Sequence, residues 1–106
     1  MSYIIKILPQ VLLEVDRIKS EYEDKTPGSG YFFHASVLEQ LALLCEFPHI
    51  GPVVWKDFRK TKVKKYPYDL YYVVEDSTIV LVLIMYEGRK PSRWRKALKR
   101  ITDKAE

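Results

Sequence analysis

The sequence has little of what several protein classes require. Only one of its 106 residues is cysteine, Cys45, which excludes an intrachain disulfide and a cysteine framework for zinc. The longest apolar run, residues 79–86, is far shorter than the roughly 20 residues of a membrane helix, so no membrane partner is expected. The first residues lack a basic region followed by a long apolar stretch, so no secretion signal is predicted. We therefore expect one cytoplasmic domain over residues 1–106.

The sequence also lacks the residue spacings of a metal site or a phosphate-binding loop. His49 has no second ligand near it in sequence, and His34 falls on an apolar helical stripe, which favours a core or boundary position for that ring. Gly28 and Gly30 separate two predicted helices, whereas a phosphate-binding glycine loop follows a strand. We accordingly expect no metal and no cofactor.

Acidic residues are scarce in the second half of the chain. Residues 1–50 carry four basic and seven acidic side chains, whereas residues 51–106 carry fourteen basic and seven acidic ones. The formal net charge of the whole chain is +4. Such asymmetry is typical of a protein with one basic face and a polyanionic or acidic partner. A solvated surface without a partner explains a net charge this small equally well.

Local periodicity predicts the element order β-α-α-β-β-β-α. Strands are predicted at residues 3–8, 53–59, 68–74 and 78–86, and helices from residue 10, over 31–46 and over 92–101. Breakers at residues 25–30 and 48–52 end the first two helices, which predicts a helical hairpin. The buried stripe of the second helix is predicted to consist of Tyr31, His34, Ala35, Leu38, Leu41, Ala42 and Cys45. Short turns between the last three strands indicate an α+β domain, with a mostly antiparallel four-stranded sheet and the helical hairpin on one face.

The second half of the chain contains a series of motifs in a recognisable order. A loop of the form Pro-x-x-Gly lies at residues 48–51, and an arginine-containing strand with a Tyr-Pro-Tyr entry to the next strand follows at residues 58–74. An apolar strand then leads into Tyr-Glu-Gly-Arg-Lys-Pro-Ser-Arg-Trp at residues 86–94. In this order and spacing the motifs resemble the RelE/ParE superfamily of small bacterial toxins. The resemblance spans nearly the whole chain and implies a growth-inhibiting toxin of a type II toxin–antitoxin (plasmid stabilization) system, held in a hetero-oligomer by its cognate antitoxin.

The two branches of this superfamily imply different chemistry. RelE-like members cleave messenger RNA on the ribosome without a metal, and this requires a proton acceptor, an acid and cations that stabilise the phosphorane. The residues that the resemblance offers as cations, for RNA or for another target, are Arg59, Lys62, Lys64, Lys65 and Arg89. Tyr86 stands where related sequences often have histidine, and its ordinary pKa near 10 makes it a poor acid–base group. Tyr86, Arg59 and Arg89 are thus weak catalytic candidates.

One departure favours the ParE-like branch, which is linked to inhibition of DNA gyrase. Nuclease members commonly have an arginine at the entry of the third sheet strand, where this sequence has Pro67 and Tyr68. Tyrosines interleave with the cations, a pattern that proteins use to bind single-stranded nucleic acid. Tyrosine is also a common strand residue, and we favour this structural explanation for most of them. A ribosome-dependent endoribonuclease remains the alternative, and a degenerate, non-toxic binding module is the second one. All three readings expect the cations on the open face of the sheet.

Overall fold

Residues 3–88 and 90–105 are described by a computed structural model of the chain, and they form three helices and one five-stranded sheet. In chain order the elements are β1 (Ile4–Ile7), α1 (Pro9–Lys25), α2 (Ser29–Glu46), β2 (Val53–Trp55), β3 (Phe58–Lys62), β4 (Tyr68–Glu75), β5 (Thr78–Tyr86) and α3 (Pro91–Ala105). The predicted α+β class and order of elements are confirmed. In the described ranges, no helix has the length and apolar content to cross a membrane.

The sheet has five strands rather than the four predicted. Its strand order is β1-β5-β4-β3-β2, with β1 parallel to β5 and the other neighbours antiparallel, so the mostly antiparallel prediction holds. The error lies in residues 53–59, predicted as one strand. Lys56 adopts a positive φ of 50°, and the chain reverses there into the β2–β3 hairpin. The rings of Trp55 and Phe58 stack across this turn at 5.9 Å, so a run of strand-forming residues conceals a turn.

The helical hairpin covers one face of the sheet, as predicted. Pro9 begins α1, where its fixed φ suits the first turn, and Val11, Val15 and Ile18 form the buried stripe of this helix. Gly28 has a φ of 90° in the turn that leads to α2. The main core lies between the hairpin and the sheet, and its buried members are Val11, Val15, Ile18, Phe33, Val37, Leu41, Leu44, Val63, Leu70, Tyr72, Ile79, Leu81 and Ile84. We call this side of the sheet the hairpin face.

Helix α3 packs on the opposite side of the sheet, which we call the outer face. Leu98 is fully buried there with Tyr71 and Val82, and Trp94 and Ile101 pack around them. Tyr71 and Tyr72 of β4 pair with Leu83 and Leu81, so Val82 is an extra residue on β5, and Val82 and Leu83 both lie on the outer face. The outer face is therefore partly covered and not fully open.

The rotation of α2 about its axis differs from the prediction. Its buried residues are Gly30, Phe33, Val37, Leu41 and Leu44. Of the stripe expected to be buried, Tyr31 is 67% exposed and Leu38 is 52% exposed. The helix contains only two charged residues, Glu39 and Glu46, and is apolar on most of its circumference. A helix of this kind has a weak amphipathic signal, so its sequence does not determine which side faces the core.

Candidate functional site

Arg59 ties a loop to the sheet on the hairpin face. The β3–β4 register places it opposite Tyr72. Its Nη1 donates to the carbonyl oxygen of Gly51 at 2.7 Å and to that of His49 at 3.2 Å. The amide of Gly51 in turn donates to the hydroxyl of fully buried Tyr72 at 3.0 Å. We call Arg59, Gly51 and Tyr72 the loop clip, and in it the guanidinium of Arg59 is already engaged by backbone.

The next residues of β3 lie on alternate faces of the sheet. Lys60 and Lys62 pair with Tyr71 and Asp69 across the β3–β4 ladder, so these two lysines belong to the outer face. They line an open groove of about 710 Å³, which we call the outer groove. Its lining residues are Ile50, Gly51, Pro52, Lys60, Thr61, Lys62, Asp69, Glu87 and Gly88. Arg59 and Lys62 therefore lie on opposite faces.

Each lysine of the outer groove is matched by a carboxylate. The Nζ of Lys60 lies 3.8 Å from Oδ2 of Asp69, and the Nζ of Lys62 lies 3.0 Å from Oε2 of Glu87. Burial raises the pKa of Asp69, and the charge of Lys60 opposes that rise. The groove thus contains two cations and two carboxylates, which gives it little net attraction for phosphate.

Lys64 and Lys65 lie apart from that groove. They belong to the connection between β3 and β4, where Lys65 has a positive φ of 71°. With Phe32, Ala35 and Glu39 they line a hollow of about 350 Å³ beside α2. The predicted cations are therefore distributed over three places, the loop clip, the outer groove and the α2 hollow. Arg89 lies outside the described residues.

Tyr86 is at the end of β5 and is half exposed. Its ring meets that of Tyr68 edge to face at 5.6 Å. Beside them lies a recess lined by Arg93 and by α1, in which Arg17 is held between Glu14 and Glu21. Tyr86 pairs with Tyr68, and Arg59 pairs with the residue four positions further along β4. At about 3.3 Å per strand residue, the Cα positions of these two catalytic candidates are offset along the strands by about 13 Å.

Sequence analysis did not identify Asp69 and Glu87, the two carboxylates of the outer groove. Asp69 could have been found by pairing residues outward from the turn between the two strands, since this places it opposite Lys62. In the described part of the chain, no three His, Cys, Asp or Glu side chains are grouped as a metal site.

Comparison with known proteins identifies the family. The family described as ParE toxin of type II toxin-antitoxin system, parDE, matches residues 5–91. This chain belongs to the ParE toxin family. The match takes in the helical hairpin, three of the four residues of β1, the other four strands and the first residue of α3. None of the curated proteins matches the chain in sequence.

Solved structures share its fold at low sequence identity. A chain of the chromosomal ParDE system from P. aeruginosa is 17% identical with a TM-score of 0.71, covering 80% of this chain and 96% of that one. A mutant of the E. coli toxin RelE in the free state is 20% identical with a TM-score of 0.65, covering 95% and 99%. A chain of the archaeal RelE-RelB complex from Pyrococcus horikoshii OT3 is 20% identical with a TM-score of 0.55, and the alignment covers 85% of this chain and 100% of that one. These similarities show a shared fold, and the family match over residues 5–91 confirms the ParE-like prediction within the RelE/ParE superfamily.

Proposed function

We propose that this ParE-family toxin arrests growth in the cytoplasm by binding a protein target such as DNA gyrase, and that it does not cleave RNA. The observation that supports this is the charge pairing in the outer groove. Metal-free cleavage needs cations that are available to the phosphorane as charge develops. Lys60 and Lys62 instead face Asp69 and Glu87, whose carboxylates would repel a phosphate.

The remaining catalytic candidates give the same reading. Arg59 donates to two loop carbonyls on the other face of the sheet. Tyr86 lies far along the sheet from Arg59 and packs against Tyr68. General acid–base catalysis requires its groups within hydrogen-bond reach of one substrate. These two side chains do not converge on a common point.

We further propose that the cognate antitoxin covers the exposed side of α2, giving a toxin–antitoxin hetero-oligomer. The large apolar side chains exposed on or next to this helix are Tyr31, Phe32, Leu38, Leu43 and Phe47. Lys64 and Lys65 border the same helix in the α2 hollow. An amphipathic segment with apolar anchors and acidic flanking residues matches this surface in both respects. The solved ParDE and RelE-RelB assemblies lend support to an antitoxin partner.

The target is tested by inducing the chain in a host with and without its neighbouring gene. We expect growth arrest without the antitoxin, inhibited gyrase supercoiling and intact messenger RNA by primer extension. Codon-positioned cuts would contradict the proposal and favour the RelE-like endoribonuclease. Normal growth with soluble protein would contradict it in favour of the non-toxic binding module.

A second pair of variants tests the antitoxin surface. Leu38→Asp places a charge on the exposed side of α2, so we expect arrest that the antitoxin no longer relieves. The matched control is Leu13→Asp on α1, which is also exposed and should remain neutralised by the antitoxin. Equal relief of both variants would show that the antitoxin does not use this side of α2.

A further inference from the structure

Helix α3 carries a concentration of cations that the function above does not use. Between residues 91 and 103 its charged side chains are Arg93, Arg95, Lys96, Lys99, Arg100 and Asp103, five cations and one carboxylate. All six are exposed. Within residues 3–88 and 90–103, none of these five cations makes a side-chain ion pair, whereas Lys60 and Lys62 each have a carboxylate partner.

The packing of α3 fixes the direction in which this charge points. Leu98 is fully buried against the sheet, and the ring of Trp94 stacks on Tyr71 at 5.6 Å with an interplanar angle of 26°. The guanidinium of Arg95 lies over the ring of Trp94, with its Cζ 5.4 Å from the ring centre. Because one side of the helix is held in this way, Arg95, Lys96, Lys99 and Arg100 lie on the side turned away from the sheet. Arg93, in the first turn, also borders the recess beside α1.

The sheet separates charges of opposite sign. On its hairpin face, α1 carries five carboxylates and three cations, and α2 carries two carboxylates and no lysine or arginine. On its outer face, α3 is strongly basic. A molecule polarised in this way orients a polyanion toward one face during approach.

We propose that the outward side of α3 binds the phosphodiester backbone of nucleic acid. Protein–protein interfaces have an apolar centre, whereas nucleic acid interfaces are more polar and far more positive. No large apolar side chain is exposed on the described part of α3, and exposed apolar residues instead gather on α2. An acidic protein segment would therefore find exposed apolar anchors on α2 but none on the outward side of α3.

The spacing of the cations suits a phosphate backbone. Arg93, Lys96 and Arg100 follow one side of the helix at i, i+3 and i+7, over about 10 Å of its axis. Arg95 and Lys99 lie together along one side of this row. Three of the five cations are arginines, whose guanidinium groups can donate two parallel hydrogen bonds to one phosphate. This binding does not depend on which protein the toxin inhibits.

The inference is tested by fluorescence anisotropy with the purified full chain and a labelled 20-base-pair DNA duplex. Each phosphate contact contributes about −0.9 to the slope of log affinity against log salt. Five contacts therefore predict roughly a 500-fold loss of affinity between 50 and 200 mM salt, and two contacts predict roughly a tenfold loss. We expect the loss calculated for five contacts in the unaltered chain, and the loss calculated for two contacts in the triple variant R93Q/K96Q/R100Q.

The matched control removes the three cations of α1, on the hairpin side of the molecule, in the variant R17Q/K19Q/K25Q. It has the same net charge as the α3 variant, so we expect its salt dependence to stay close to that of the unaltered chain. Equal weakening of both variants would show that net charge alone attracts the duplex, and no binding at 50 mM salt would overturn the proposal outright.

Two further ligands identify the source of the phosphate. A labelled single-stranded RNA of 20 nucleotides is compared with the duplex, and tighter binding of either one supports the proposal and says which nucleic acid is preferred. A glutamate-rich peptide of equal charge is the third ligand. Binding of that peptide through α3 with no binding of DNA or RNA would overturn the proposal in favour of an acidic protein partner.

Discussion

Replacing Arg59 by methionine separates a structural role of this residue from a target-binding or catalytic one. Methionine is also long and unbranched, but it cannot donate to the carbonyls of Gly51 and His49. A hydrogen bond from a charged group contributes about 1.5–3 kcal/mol, and the bond to Gly51 is partly buried while that to His49 is exposed. We therefore expect Arg59→Met to lower the free energy of unfolding by about 2 kcal/mol.

The assay is thermal unfolding of the purified chain followed by circular dichroism. At about 2.1 cal/mol/K per residue, 106 residues give an unfolding entropy of about 0.22 kcal/mol/K, so 2 kcal/mol corresponds to a fall in Tm of about 9 °C. Lys62→Met is the matched control. It removes the exposed ion pair to Glu87, and such pairs contribute at most about 1 kcal/mol, so its Tm should fall by less than about 5 °C.

A stable but inactive Arg59→Met protein would contradict the structural role assigned to Arg59. If Arg59→Met kept the Tm of the unaltered chain and lost growth inhibition, Arg59 would contact the target or substrate and the loop clip would contribute little. If Arg59→Met and Lys62→Met lowered the Tm equally, the hydrogen bonds of Arg59 to the loop would contribute no more stability than the exposed ion pair of Lys62.

Three further predictions concern the loop clip and the buried Tyr71 of β4. Gly51→Ala should destabilise the fold by more than Gly88→Ala, as measured by urea unfolding. A Cβ at Gly51 would clash with the carbonyl oxygen of Lys60, whereas Gly88 has a φ of 84° but open space around it. Equal losses of stability in the two variants would contradict this. Tyr72→Phe should cost about 1–3 kcal/mol by leaving the amide of Gly51 unpaired, and an unchanged urea midpoint would count against the loop clip. Burial raises the pKa of Tyr71 to about 12, so the folded state holds this proton after the unfolded state has lost it, and stability should fall between pH 10 and 12. Tyr71→Phe should reduce that alkaline loss, and an identical pH profile in both proteins would refute the assignment.

Different parts of the candidate site were predictable to different degrees. The sequence placed Arg59 and Lys62 on or beside a strand, but the face of each depends on which residue of β4 it pairs with. The turn at Lys56 also changed the strand that carries them, because aromatic residues on both sides of it favour a strand. The role of Arg59 in the loop clip depends on a loop eight to ten residues away, which no local pattern indicates.

The exposed side of α2 shows the same limit in a helix. Leu38 and Phe33 are equally apolar in sequence, yet one is half exposed and the other fully buried. Because apolar residues occupy most of the helix circumference, periodicity offers several orientations of nearly equal merit. Contact with α1 and the sheet selected one of them, and in doing so exposed the surface that we assign to the antitoxin.

The order of helices and strands, the charge difference between the two halves and the motifs of the toxin superfamily are all visible in the amino-acid sequence. These features arise from interactions within a few residues along the chain, such as helical periodicity and breakers, and from composition. Only the folded structure shows that Asp69 and Glu87 face the lysines of the outer groove and that most of the cations of α3 lie on the side away from its packing against the sheet. Such partners are distant in sequence, and strand register and helix packing bring them together.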